Sequence, residues 1–146
     1  MSRVTNLQAI DVANELRPTL LKLARALRRE AHLHGVTAAQ ASLLGAVEAY
    51  PDYGVKELAA REGISSPAIT RNLDRLEEAG LIDRSRSTSD ARRITLAVTP
   101  KGRTTLRSIR SQRTALLVSM LAELTTDELA QVAEANDALK RIIPEG

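Results

Sequence analysis

Apolar residues recur along this chain at steps of three and four far more often than at steps of two, so the dominant prediction is helix. From about Leu7 to about His34 the positions Ala9, Ala13, Leu16, Leu20, Leu23 and Leu27 form a heptad-like seam. Pro18 lies inside it and removes a backbone donor, which predicts a kink or a break. Gly35 closes this helix, and Thr37 caps a second one that runs through Ala49 and is stopped by Pro51 and Gly54. Val55 to Ser65 predicts a short helix with Leu58 and Ala59 inward, Gly63 past its end and Ile64 packing the turn. Ser65 and Ser66 are caps for the next helix, with Pro67 as its first position, Ile69, Leu73 and Leu76 as its inner stripe and Gly80 at its end.

The pattern then changes. Leu81 to Arg86 and Arg93 to Val98 are β-compatible runs flanking the polar segment Ser87 to Ala91, a hairpin with a long basic tip. After Pro100 a long helix carries Leu106, Ile109, Leu116, Leu117, Met120 and Leu124. Thr125 or Thr126 caps a last helix with the seam Leu129, Val132, Asn136, Leu139 and Ile143. Asn136 has two readings, a buried polar residue fixing register or a solvent-facing edge. The fold class is mostly α with a small β-hairpin wing (α+β). Residues 37–100 form a winged helix-turn-helix, and 1–36 with 101–146 supply dimerisation helices, because their apolar stripes exceed what the small winged module can cover.

The helix beginning at Ser65 turns Pro67, Ala68, Thr70, Arg71 and Arg75 outward, a face that can enter a DNA groove. Arg71 is the candidate for a bidentate contact to guanine, while Ser66, Ala68 and Thr70 suit base edges or a thymine methyl. Arg75 either contacts a phosphate or pairs with Glu78 three residues on. Charge sharpens this picture. Residues 84–113 hold nine Lys or Arg against Asp90 alone, a local net charge of +8 within an overall +3. That concentration is the footprint of phosphate binding, although Arg107, Arg110 and Arg113 suit a solvated helix face equally well. Arg84, Arg86 and Arg93 are expected to contact phosphates, and Arg92 to enter a minor groove with its planar guanidinium. Asp90, two residues earlier, makes a turn by binding backbone amides if it does nothing else.

Asp90, Arg92, Thr99 and Gly102, following the helix pair, resemble the wing signature of the MarR family of winged-helix transcription regulators, with Val98 where that family usually has leucine. The resemblance covers nearly the whole chain. It implies a homodimer with interleaved ends, a pseudo-palindromic double-stranded DNA operator, and repression. It also implies that Asp90 orients Arg92, and that a small aromatic or phenolic effector enters a cleft between the dimerising and DNA-binding parts. Arg28, His32, Tyr50 and Tyr53 are the candidates for that cleft, the two tyrosines serving loop packing equally well.

Composition narrows the alternatives. Cysteine, Phe and Trp are absent, which excludes disulfides, thiolate metal sites and cysteine switches and leaves the core to Leu, Ile, Val and Ala. His32 and His34 are two apart and point to different sides of a helix, so no metal is expected. No catalytic residue, nucleophile and base pair or phosphate loop is present, and no enzyme or cofactor is predicted. Without an apolar run of 18 residues or a leader, no membrane partner and a cytoplasmic location are expected. The rival reading is a helical interaction protein, or one that binds nucleic acid nonspecifically through a basic hairpin.

Overall fold

Most helices in the computed structural model begin where a short polar side chain takes up an orphan amide. The structure describes residues 5–87, 89–90 and 92–144. Thr5 opens α1 (Asn6–Arg29), Thr37 opens α2 (Ala38–Ala49), Ser65 opens α4 (Ser66–Glu78), Thr99 opens α5 (Pro100–Leu121) and Thr125 opens α6 (Thr126–Ile142). The remaining helix, α3 (Val55–Glu62), starts at Gly54, whose amide donates to Glu57 Oε2 at 3.0 Å. Between α4 and α5 lie β1 (Ile82–Arg86) and β2 (Ile94–Val98), paired antiparallel with Ile82 opposite Val98 and Arg86 opposite Ile94.

The core belongs to the winged region. Leu43 and Leu44 of α2, Leu58 of α3, Ile69, Leu73 and Leu76 of α4, Ile82 and Leu96 of the hairpin, and Leu106 and Ile109 of α5 are all buried together. Gly63 and Gly80 end α3 and α4 in left-handed conformation, φ 66° and 72°, which lets the chain reverse tightly between the helices and into β1. By contrast, neither α1 nor α6 contains a buried residue. Leu7, Val12, Leu21, Leu129, Val132 and Ile142 stand exposed on them.

Several boundaries differ from the predicted ones. The α1 helix runs through Pro18 without the break that was one of the two expectations there. The helix is exposed there, so water can reach the carbonyl that Pro18 leaves without an intrahelical donor, and Thr19 Oγ1 donates to the Glu15 carbonyl at 3.2 Å. It ends at Arg29, and Glu30–His34 tightens into a 3-10 turn before Gly35. Ser66, rather than Pro67, is the first residue of α4, with Ser65 alone capping it. Each strand starts one residue later than predicted, because Leu81 closes the α4 turn and Arg93 closes the hairpin tip through backbone bonds. Leu124 falls in the α5–α6 turn. Thr88 and Ala91 of the tip, with residues 1–4 and 145–146 of the ends assigned to dimerisation, lie outside the described residues.

Candidate nucleic-acid interface

The outward face of α4 is built from its N-terminal cap. Ser65 Oγ accepts the Ala68 amide at 3.4 Å, which leaves the Ser66 hydroxyl uncommitted at the helix start. Ser66, Pro67, Thr70, Arg71 and Arg75 are exposed and Ala68 is half-buried beside them. Thr70 Oγ1 donates back to the Ser66 carbonyl at 3.0 Å, so it offers its methyl and lone pairs outward. Arg71 and Arg75 make no hydrogen bond or ion pair among the described residues, and the pair Arg75–Glu78 is not formed.

The basic segment is organised differently from its composition. Seven of its nine cations are turned onto other parts of the chain. Arg84 places Nη2 2.7 Å from Asp74 Oδ1 and Nε 3.2 Å from Glu77 Oε2, bracing β1 against α4. Arg93 donates to the Asp52 carbonyl at 2.8 Å, and Lys101 to the Ala79 carbonyl at 2.8 Å. Arg103 donates to the Val98 carbonyl, Arg107 to Thr104 Oγ1, Arg110 to Glu48 and Arg113 to the Leu27 carbonyl. Among the described residues only Arg84 and Arg110 of these seven meet carboxylates, so the charge of the other five is not offset by an ion pair. Arg86 and Arg92 are exposed, and their guanidinia have no partner among the described residues. The expected phosphate contacts of Arg84 and Arg93 therefore compete with bonds already made within the chain.

Asp90 works on the main chain. Its Oδ1 accepts the Arg92 amide at 3.0 Å and its carbonyl accepts the Arg93 amide at 2.9 Å, while Ser87 N–H donates to the Arg93 carbonyl at 2.8 Å. The orienting contact from Asp90 to the Arg92 guanidinium that the family resemblance implied is absent from this geometry. A side-chain oxygen two residues back forms an Asx-type turn, the alternative reading of the sequence.

Thr99 and Gly102 knot the end of α4, the candidate recognition helix, to the start of α5. Thr99 Oγ1 donates to the Gly80 carbonyl at 2.6 Å and accepts the Gly102 amide at 3.0 Å. A Cβ on Gly102 would fall on the Leu81 carbonyl oxygen and within 2.7 Å of Val98 Cγ1, which accounts for glycine there. The partners Asp52, Asp74 and Glu77 were missed from sequence. The acidic pair lies three apart on the α4 surface, but nothing local says that an arginine ten residues on will cross to it.

The four residues proposed for an effector are not gathered into one cleft. Tyr50 and Tyr53 stack on each other with centroids 4.7 Å apart, and Arg61 covers Tyr50 at 4.2 Å. Tyr53 borders a cleft of about 270 Å³ against the hairpin and another of about 450 Å³ on α3, and Arg28 and His32 line neither. His34 borders a separate cleft with Arg107, Ser108, Ser111 and Gln112. Among the described residues no three His, Cys, Asp or Glu stand close enough to share a metal ion. No helix of the described residues is long and apolar enough to cross a membrane.

A capped helix with an exposed Ser, Thr and Arg face, set beside a two-stranded wing that carries two arginines unpartnered among the described residues, defines a winged helix-turn-helix DNA-binding protein. Comparison with known proteins agrees. The MarR family model matches residues 36–94. The transcriptional repressor MdtR of Bacillus subtilis strain 168 is 30% identical over 123 residues, 84% of this chain and 79% of that one. A solved transcriptional regulator of Pseudomonas aeruginosa PA01 is 34% identical over 98% of this chain and all of its own, with a TM-score of 0.81. A MepR mutant of S. aureus solved with an oligodeoxyribonucleotide shares the fold at 19% identity and a TM-score of 0.69, covering 90% of this chain and 97% of that one. The chain belongs to the MarR family and is a DNA-binding transcription regulator.

Proposed function

We propose that the protein is a homodimeric, ligand-responsive repressor that binds a pseudo-palindromic operator. The observation that carries the DNA half of this reading is the separation of the arginines into two sets. Within the recognition helix and the wing, Arg71, Arg75, Arg86 and Arg92 have no partner among the described residues, whereas Arg84 and Arg93 do. In this reading Arg71 contacts base edges with Ser66, Pro67, Ala68 and Thr70 beside it. Arg75 and Arg86 hold phosphates, and Arg92 enters the minor groove on a turn shaped by Asp90. Arg84 braces the wing. The uncovered apolar faces of α1 and α6 support the dimer, and the kinship with a named repressor supports repression.

Release by an aromatic or phenolic molecule is the effector half. It rests on the family alone, so the ligand is best found by screening against the bound operator. Footprinting on mapped genomic sites tests the whole proposal. Two inverted protected half-sites about one DNA turn apart are expected. Uniform protection without sequence preference would favour the nonspecific nucleic-acid binder, and no protection would leave the helical interaction protein.

A further inference from the structure

Arg93 is the point where the wing tip is fastened to the body. Its own amide and carbonyl close the tip, by bonds to the Asp90 carbonyl and from the Ser87 amide. Its side chain crosses 41 residues of sequence to the Asp52 carbonyl at 2.8 Å. Ser87, Ser89 and Asp90 bond within the tip, whereas Arg93 reaches out of it to the body.

Ile94, the next residue, is 45% exposed, and the first buried side chain of β2 is Leu96. The space between tip and turn is a cleft bordered by Pro51, Tyr53, Ser87, Ser89 and Thr95. The anchor is firm. Asp52 belongs to a turn closed by the Tyr53 amide on the Tyr50 carbonyl at 3.0 Å and stiffened by the tyrosine stack under Arg61.

We propose that Arg93 is a positioning residue. It contacts no phosphate and holds the wing tip at the angle from which Arg92 and Arg86 meet DNA. This rests on the DNA-binding surface proposed above and assigns regulation of its shape to the turn between α2 and α3.

Operator affinity and its salt dependence should be measured for Arg93→Ala in two backgrounds, the native chain and the double variant Arg86→Ala/Arg92→Ala. In the native background the substitution should weaken binding by about tenfold, the size of coupling between groups that act together. In the double variant, which has no free guanidinium left on the wing, it should change neither affinity nor salt slope. If Arg93 holds its own phosphate, it will still weaken binding there and take about 0.9 off the slope of log affinity against log salt, which overturns the proposal. Amide exchange on the DNA-free protein supplies a second reading. Arg93→Ala should accelerate exchange at the Ser87 and Arg93 amides while α4 stays protected, and unchanged exchange would also overturn it. Should Arg86→Ala/Arg92→Ala itself bind the operator like the native chain, the wing does not face DNA and the underlying surface fails along with the latch, a result separable from failure of the latch alone.

Discussion

At the residue scale the wing and recognition helix divide labour between arginines that hold the fold and arginines that are free. Arg92→Ala should weaken operator binding by about 1–3 kcal/mol without changing the melting temperature, and Arg71→Ala should relax preference at one base pair in each half-site. Titration against operator variants checks both. Asp90 gives a finer test, because its Oδ1 accepts a backbone amide. Asp90→Asn keeps that oxygen and removes a negative charge near DNA, so it should bind at least as well as the native chain, whereas Asp90→Ala loosens the turn and should bind more weakly. Tighter binding by Asp90→Ala would show that the turn does not present Arg92. The candidate face of α4 was legible because helix periodicity fixes it locally. Which basic residues are spent inside the chain was not, since Arg113 meets Leu27 and Arg110 meets Glu48 across long stretches of sequence. Clustered charge reads as a binding patch whether or not its members are engaged.

At the element scale the caps were readable and the joints were not. Thr37 and Ser65 announce their helices through neighbours three residues away, yet the knot of Thr99 with Gly80 and the fit of Gly102 under Leu81 exist only once α4, β1 and α5 meet. Gly102→Ala should therefore destabilise the fold by about 1–3 kcal/mol in urea unfolding, because a backbone oxygen cannot yield as a side chain can. The Arg84 brace, about a quarter exposed on its arginine and half on its acids, should be worth no more than about 1 kcal/mol in a double-mutant cycle with Asp74. A pH effect belongs to α6. The Thr125 backbone amide, then its hydroxyl, hold the Glu128 carboxyl below the usual carboxylate range. A lowered folded pKa means that this support is complete above the ordinary carboxylate pKa and is lost as pH falls through the depressed one. The protection of the Thr125 amide, its exchange rate set against the intrinsic rate at the same pH, should fall with acid, and Glu128→Gln should flatten that response.

At the scale of the whole molecule, the fold class and the order of elements were legible because hydrophobic spacing changes from helix to strand and back. The continuity of α1 was not, since the effect of Pro18 depends on whether the helix around it is exposed. The uncovered faces of α1 and α6 predict a dimer at micromolar concentration by sedimentation. Replacing Leu129 and Val132 together with glutamate should yield monomers that lose cooperative operator binding. Affinity should fall steeply with salt, because the five engaged cations that meet only neutral groups still contribute to the field.

The knot between α4 and α5 also has a mechanical side. The Thr99 hydroxyl, the Lys101 ammonium and the Thr99 amide donate to the carbonyls of Gly80, Ala79 and Leu81, and Gly102 meets Leu81 too closely for a methyl group, so the joint behaves as a weld and not as a hinge. The 22 residues of α5 make an arm about 33 Å long fixed to that weld. A sideways shift of about 1 Å at Leu121 then corresponds to a tilt of about 2° at the joint, carried rigidly into α4. In the DNA-binding reading proposed above, the far end of α5 is the long end of a lever on α4, and a substitution that displaces Leu121 should change operator affinity.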